Sequence, residues 1–213
     1  MLHGEGSSSP GDCCLCHFRP LAAGGENRRG YTGLVRILGI DPGYHRCGYA
    51  VLERATGNSW RLLVSGAMVT DAAHPLALRL HAIARELDGL LRLWEPDALA
   101  IEEIYFAKNA KTALGVAQAR GVVLAQAAGA GLAISEYAPS TIKSQLTGSG
   151  NADKAQVGFK VRRLIGSGPD APAAAALDDE LDAIAVALCH SLRTGSPAAA
   201  LLLAASAGRG GRR

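Results

Sequence analysis

Four carboxylates set among apolar residues are the side chains of this chain best suited to chemistry. Asp41 ends the run Val35-Arg36-Ile37-Leu38-Gly39-Ile40, and Glu102 ends a second run, Leu99-Ala100-Ile101. Asp179 and Asp182 open an apolar stretch that continues through Ala183-Ile184-Ala185-Val186-Ala187-Leu188. An acid at the end of a buried strand is costly to keep charged without a partner. Acids brought into apolar surroundings from three separate segments therefore point to convergence on cations. Hard divalent ions such as Mg²⁺ prefer oxygen ligands of this kind, and two ions about 4 Å apart clamp the attacking and leaving oxygens of a phosphodiester.

Helical geometry tests which acids share one face. Each residue advances about 100° around a helix axis, so Asp179 and Asp182 lie roughly 60° apart. Asp178 lies about 40° from Asp182 and is geometrically as good, whereas Glu180 faces away by roughly 200°. The competing reading makes Asp178, Asp179 and Glu180 ordinary acids at the positive end of a helix. Asp41 has a competing reading too, because Asp41-Pro42-Gly43 is common turn chemistry. Glu103 points to the opposite side of a strand from Glu102, and Glu102 directly follows the apolar run.

The elements that must position these acids are legible in outline. Strands are predicted at 36–41, 47–53 and 60–68, with turns at Pro42-Gly43 and Gly57-Asn58. Leu76, Leu80, Ile83, Leu87 and Leu90 predict a helix over 75–93, opened by Pro75 and closed by Pro96. A strand at 98–102 precedes a helix at 109–128, with Asn109 as N-cap. A strand at 132–136, a short helix at 139–146, a basic helix at 152–165 and a last helix at 178–193 complete the order. This is a mixed α/β sheet, a three-stranded meander followed by alternating helices and strands. Its first and fourth strands must lie side by side if Asp41 and Glu102 are to meet.

Composition sets the outer limits. With 213 residues and 48% hydrophobic content, the chain is long enough for one domain with a sizeable core. Residues 1–34 are rich in Gly, Ser and Pro and show no period. They are expected to be a disordered or non-native extension, with Val35 as a candidate natural start. The 194–213 stretch is expected to be a flexible tail. The tail run Ala198–Ala205 is too short to span a membrane, and the N-terminus lacks a signal-peptide pattern, so a cytoplasmic location is expected. The net charge of +3 is carried by the termini. Residues 35–205 contain 16 basic and 16 acidic residues, so any nucleic-acid face must come from segregated charge. Lys143, Lys154, Lys160, Arg162 and Arg163 are opposed in their stretch only by Asp153, which fits a basic surface beside an acidic pocket and a polyanionic substrate. Cys13, Cys14, Cys16 and His17 lack the second ligand cluster of a structural zinc site, and Cys47 and Cys189 read as core residues.

Taken in order, several motifs resemble one family closely. Ile37-Leu38-Gly39-Ile40-Asp41-Pro42-Gly43 with Gly48-Tyr49, the stretch Ala100–Asn109, Gln118-Ala119-Arg120-Gly121, and Asp179-x-x-Asp182-Ala183-Ile184-Ala185 resemble RuvC-type Holliday junction resolvases over about residues 35–193. The resemblance implies a ribonuclease H-like nuclease domain with a five-stranded mixed sheet. It also implies a homodimer, and symmetric nicking of four-way DNA junctions with Mg²⁺, two ions per subunit. It makes Asp41, Glu102, Asp179 and Asp182 the metal-binding catalytic acids. Tyr105 falls where an aromatic stacks on an unpaired base, although a core role is open to it as well. Lys108, Lys143 and Lys154 fall at DNA-contacting positions, although as solvated charges Lys143 and Lys154 would be unremarkable. A branch-migration helicase complex is a partner the family implies. Tyr44-His45-Arg46-Cys47 departs from the usual small and hydroxyl residues after Asp-Pro-Gly, and Asp178-Asp179 leaves the third acid ambiguous by one position. Two rival functions stand beside this one: an actin-like-superfold ATP phosphotransferase, which shares an Asp-x-Gly opening, and a non-catalytic junction-binding protein.

Overall fold

The computed structural model describes residues 35–54, 60–104, 110–165 and 178–194. Ten elements occur in the order β1 (Arg36–Asp41), β2 (Arg46–Arg54), β3 (Trp60–Val69), α1 (Leu76–Trp94), β4 (Ala98–Glu102), α2 (Ala110–Gly129), β5 (Ala133–Tyr137), α3 (Pro139–Thr147), α4 (Lys154–Ile165) and α5 (Asp178–Thr194). They form one mixed sheet of strand order β3-β2-β1-β4-β5. β1, β2 and β3 are antiparallel neighbours, while β4 runs parallel to β1 and β5 parallel to β4. The side-by-side placement of the first and fourth strands is therefore borne out.

Alternation along the central strands sorts side chains onto two layers. Leu38, Ile40, Leu99 and Ile101 face α1 and α2, where they meet Ile83, Leu87, Ala119 and Val123. Ile37 and Ala100 face the other way, toward Ile142 of α3, Val157 and Val161 of α4, and the long buried run of α5. A strand covered on both faces reads as a continuous apolar run, which is why β1 and β4 stood out in sequence. Full burial of each large side chain contributes about 1.5–3 kcal/mol.

The predicted ends hold to within two residues, and the differences have local causes. α1 begins after Pro75 and stops where Glu95 takes a left-handed conformation (φ 41°), its N–H donating to the Leu91 carbonyl at 3.0 Å. Pro96 cannot continue the helix. α4 begins at 154 rather than 152 because Asp153 caps it. The Gln156 N–H donates to Asp153 Oδ1 at 2.8 Å, and the Asp153 N–H donates to Gln156 Oε1 at 3.3 Å, a reciprocal capping box. α5 extends one residue beyond the predicted end, to include Thr194, whose hydroxyl donates to the His190 carbonyl at 2.8 Å.

Cys47 and Cys189 are buried in the core, as expected. The Cys13–His17 stretch, the 1–34 extension, the Gly57-Asn58 turn, the Asn109 cap and the tail after Thr194 lie outside the described residues. Among the described residues no helix is long and apolar enough to cross a membrane.

Candidate active site

Register brings the first two acids together. Ile40 pairs with Ile101 in the parallel β1–β4 ladder, so Asp41 and Glu102 are the next residues on adjacent strands. They share the face turned toward α5, because Ile37 and Ala100, at even spacing from them, pack against that helix. The end of β4 is held on both sides. Arg120 of α2 donates to the Glu102 carbonyl at 3.3 Å, and the Glu103 N–H donates to the Tyr137 carbonyl at 2.9 Å.

Two missing side chains bring the other two acids onto this face. A Cβ on Gly39 of β1 would lie 2.3 Å from the Ala183 carbonyl oxygen, and a Cβ on Gly48 of β2 would lie 2.0 Å from that of Asp179. α5 therefore rests directly on the backbone of β1 and β2, with its first turn across the ends of the strands. Asp179 and Asp182 are half-buried there, while Asp178 is exposed.

Electrostatics reports the convergence. The Asp41 carboxyl is pushed up to about 7, first by burial, then by the charges of Asp182 and Asp179. Glu102 is likewise pushed up to about 7, first by burial, then by Asp41 and Asp182. Asp179 is among the charges that raise Asp41, whereas Asp178 is among them for neither group.

Basic groups supply the counter-charge. Lys154, the first residue of α4, places Nζ 3.1 Å from Asp182 Oδ2 and 3.5 Å from Asp178 Oδ2. Its charge lowers both Asp41 and Glu102, and that of Lys143 on α3 lowers Glu102. Of the three lysines singled out in the sequence, Lys143 and Lys154 thus carry their charge to the acids. Arg46, which sequence reasoning treated only as part of an unusual tetrapeptide, donates Nε–H to Asp179 Oδ2 at 2.5 Å. The available signal was its place on the strand face of Gly48, two residues away. Among the described residues no three of the acids are drawn together as a ready-made metal cage; two of the four face these cations instead. Tyr105 and Lys108 lie outside the described residues.

The turn after Asp41 is clamped from the opposite layer. Buried Arg79 of α1 donates to the Tyr44 carbonyl at 2.7 Å and to Thr70 Oγ1 at 2.9 Å, and the Thr70 hydroxyl donates to the same carbonyl at 2.6 Å. The Arg79 guanidinium also lies 4.7 Å from the Tyr44 ring centroid. A Cβ on Gly115 of α2 would lie 2.8 Å from that ring.

The donor set is all oxygen, with two half-buried carboxyls whose charge burial penalises and two side-chain cations already drawn to the others. This fits hard divalent cations.

A mixed sheet of this order, with acids at the adjoining ends of its first and fourth strands and on the helix crossing them, defines a ribonuclease H-like α/β protein with a carboxylate site. The profile of the family described as crossover junction endodeoxyribonuclease RuvC matches residues 37–190, and the chain belongs to that family. It is 44% identical over 172 residues to the crossover junction endodeoxyribonuclease RuvC of Frankia alni, covering 81% of this chain and 84% of the relative. It superposes on the Thermus thermophilus RuvC structure with a TM-score of 0.67 at 31% identity, covering 76% of this chain and 96% of that one. With T. thermophilus RuvC in complex with Holliday junction substrate the TM-score is 0.66 at 30% identity, with 74% and 93% covered.

Proposed function

We propose that this chain is a structure-specific endodeoxyribonuclease that resolves four-way (Holliday) DNA junctions by paired symmetric nicks in recombination and repair. Asp41, Glu102, Asp179 and Asp182 act as its metal-binding catalytic acids, and Mg²⁺, two ions per subunit, is the cofactor. The observation that supports this reading is that carboxylates of β1, β4 and α5 feel one another's charge: Asp41 is raised to about 7 by burial and then by Asp182 and Asp179, and Glu102 to about 7 by burial and then by Asp41 and Asp182. Family membership supplies the substrate class, and T. thermophilus RuvC has been seen with a Holliday junction.

In the reaction a water oxygen bonds to phosphorus as the bond to the 3′ oxygen breaks, leaving a 5′-phosphate and a 3′-hydroxyl. When bound, the divalent ions would lower the pKa of that water and neutralise charge on the phosphate. Asp41 and Glu102, fixed at strand ends, hold their oxygens in one orientation, while α5 delivers Asp179 and Asp182 from above. Lys143 and Lys154 bring positive charge to the rim, where a DNA backbone passes. The exposed α4 residues Arg162 and Arg163 extend that charge. Tyr105, stacked on an unpaired base at the crossover, and Lys108, on the backbone, complete the DNA contacts. Stacking of this kind contributes roughly 1–3 kcal/mol and tolerates any base.

A homodimer matches a junction of two-fold symmetry and allows two coordinated cuts. A cytoplasmic location and a branch-migration helicase partner belong to the same reading. The ATP phosphotransferase alternative has no support in the family match, and the non-catalytic alternative is disfavoured by retention of all four acids.

The deciding experiment mixes the chain with an end-labelled four-way junction and Mg²⁺, beside Asp41→Asn. Paired nicks by the wild type, lost in a variant that still binds the junction, are the expected result. Equal cutting by the variant, or none by either protein, overturns the reading.

A further inference from the structure

We propose that Arg46 is a positioning residue for Asp179: its guanidinium holds that carboxylate in the metal-free chain, and a divalent cation recruits Asp179 only by displacing it. This rests on the reading of the four acids as metal ligands.

Arg46 shares a strand face with Gly48, Ala50 and Leu52 by period-2 alternation, and Ala50 and Leu52 pack against α5. Gly48 has no side chain, so the first turn of α5 settles on it, and Arg46, next along that face, meets Asp179 at 2.5 Å. The Asp179 backbone is thus pinned by Gly48 while its side chain is left to choose a partner.

The partner is an exchangeable one. Side-chain exposure is 40% for Arg46 and 29% for Asp179, and ion pairs this well hydrated contribute little. Glu53 shows the contrast. Its side chain is only 6% exposed, between Arg36 at 2.7 Å and Arg61 at 2.9 Å, and removing a partner there leaves a charge buried. Arginine carries donors only and keeps its charge throughout the working pH range, so it competes for Asp179 wherever that acid is ionised. A cation that binds only a fractionally populated state of the protein binds more weakly by that fraction.

Mn²⁺ binding measured by calorimetry without DNA tests the proposal on the full chain. Arg46→Gln is expected to bind Mn²⁺ roughly twofold to fivefold more tightly than wild type. Arg163→Gln, which removes the same charge from the exposed stretch of α4, should change affinity by less than about twofold, since such charges are screened. In the unaltered protein, the Arg46 Nε–H resonance should shift during Mg²⁺ titration with the midpoint of metal binding. Unchanged or weaker binding in Arg46→Gln, equal tightening in Arg163→Gln, or an Arg46 resonance that ignores Mg²⁺ overturns the proposal. A double variant, Asp41→Asn with Asp182→Asn, separates the two readings. If the wild type takes up no Mn²⁺, or the double variant binds it equally well, the acid-site reading falls and this one with it. If only the Arg46 results fail, the acid site stands.

Discussion

Gly48 of β2 and Asp179 of α5 touch through their backbones: a Cβ on Gly48 would lie 2.0 Å from the Asp179 carbonyl oxygen and 3.3 Å from the Asp179 Cβ. The third acid therefore reaches the strand ends because a side chain is missing on the strand beneath it. Gly39 does the same one strand over, against Ala183 and Ala187, so the small residues of β1, β2 and α5 set the height of the helix above the sheet.

Gly48→Ala should force α5 outward. Inserting a methyl into a packed contact costs typically about 1–3 kcal/mol, and here the obstacle is backbone, which cannot rotate away. Chemical denaturation should show a loss of about 3 kcal/mol, and metal affinity should fall as Asp179 and Asp182 move off Asp41. A variant with wild-type stability and metal binding would show that α5 does not rest on β2 in this way.

Asp41 and Glu102 predict an unusual pH dependence for the metal-free protein. Their ordinary values are 3.8 and 4.5, and both rise to about 7 in the fold. Between those limits the folded chain binds more protons than the unfolded one, so their contribution is fully present below pH 3.8 and is lost as pH rises through about 7. Asp41→Asn should make the metal-free protein on the order of 2 kcal/mol more stable at pH 8, while cutting junction cleavage by at least about 100-fold. Metal affinity should climb over the same pH range, since ligands must shed protons to bind. Denaturation at pH 5 and pH 8, with and without Mn²⁺, reads both effects. A variant less stable than wild type at pH 8 without metal would contradict them.

His190 acts in the opposite direction. It is buried on α5 with Nδ1 2.8 Å from the Tyr137 hydroxyl, and burial lowers its pKa from 6.5 to about 4. The unfolded chain takes up the proton first, so the stabilisation is whole above pH 6.5 and drains away as pH falls toward 4. Replacing His190 with Gln should flatten the difference in stability between pH 7 and pH 5 relative to wild type. An unchanged slope would mean that His190 is protonated in the fold.

Arg79 is a buried cation in the α1 layer whose two donated hydrogen bonds and ring contact all go to the turn that follows Asp41, or to Thr70 beside it. Arg79→Met keeps the stem and removes the donors. The Tyr44 carbonyl keeps the Thr70 hydroxyl but loses its charged donor, and hydrogen bonds to charged groups contribute about 1.5–3 kcal/mol, a loss that thermal melting should register. Because Tyr44 also lies against Gly115 of α2, Mn²⁺ affinity should drop as well. Unaltered metal binding would detach the clamp from the acid site.

Much of this molecule is written in local pattern. Period-2 and period-3.6 spacing, together with Pro and Gly punctuation, locate the ten elements, because those signals reflect which face of a strand or helix is buried. The apolar runs before Asp41 and Glu102 mark the buried central strands, and the wish to join the two acids is enough to place β1 beside β4. Tertiary structure alone decides which charges meet. Asp178 and Asp179 are equivalent on a helical wheel, and only the seating of α5 on Gly48 leaves Asp178 exposed and sets Asp179, half-buried, against Arg46. Arg46 and Asp179 are 133 residues apart, and the Asp153 cap that starts α4 at Lys154 brings a lysine to Asp182. Periodicity reports what each residue does relative to its own element, whereas an ion pair depends on strand register and helix height across the whole sheet.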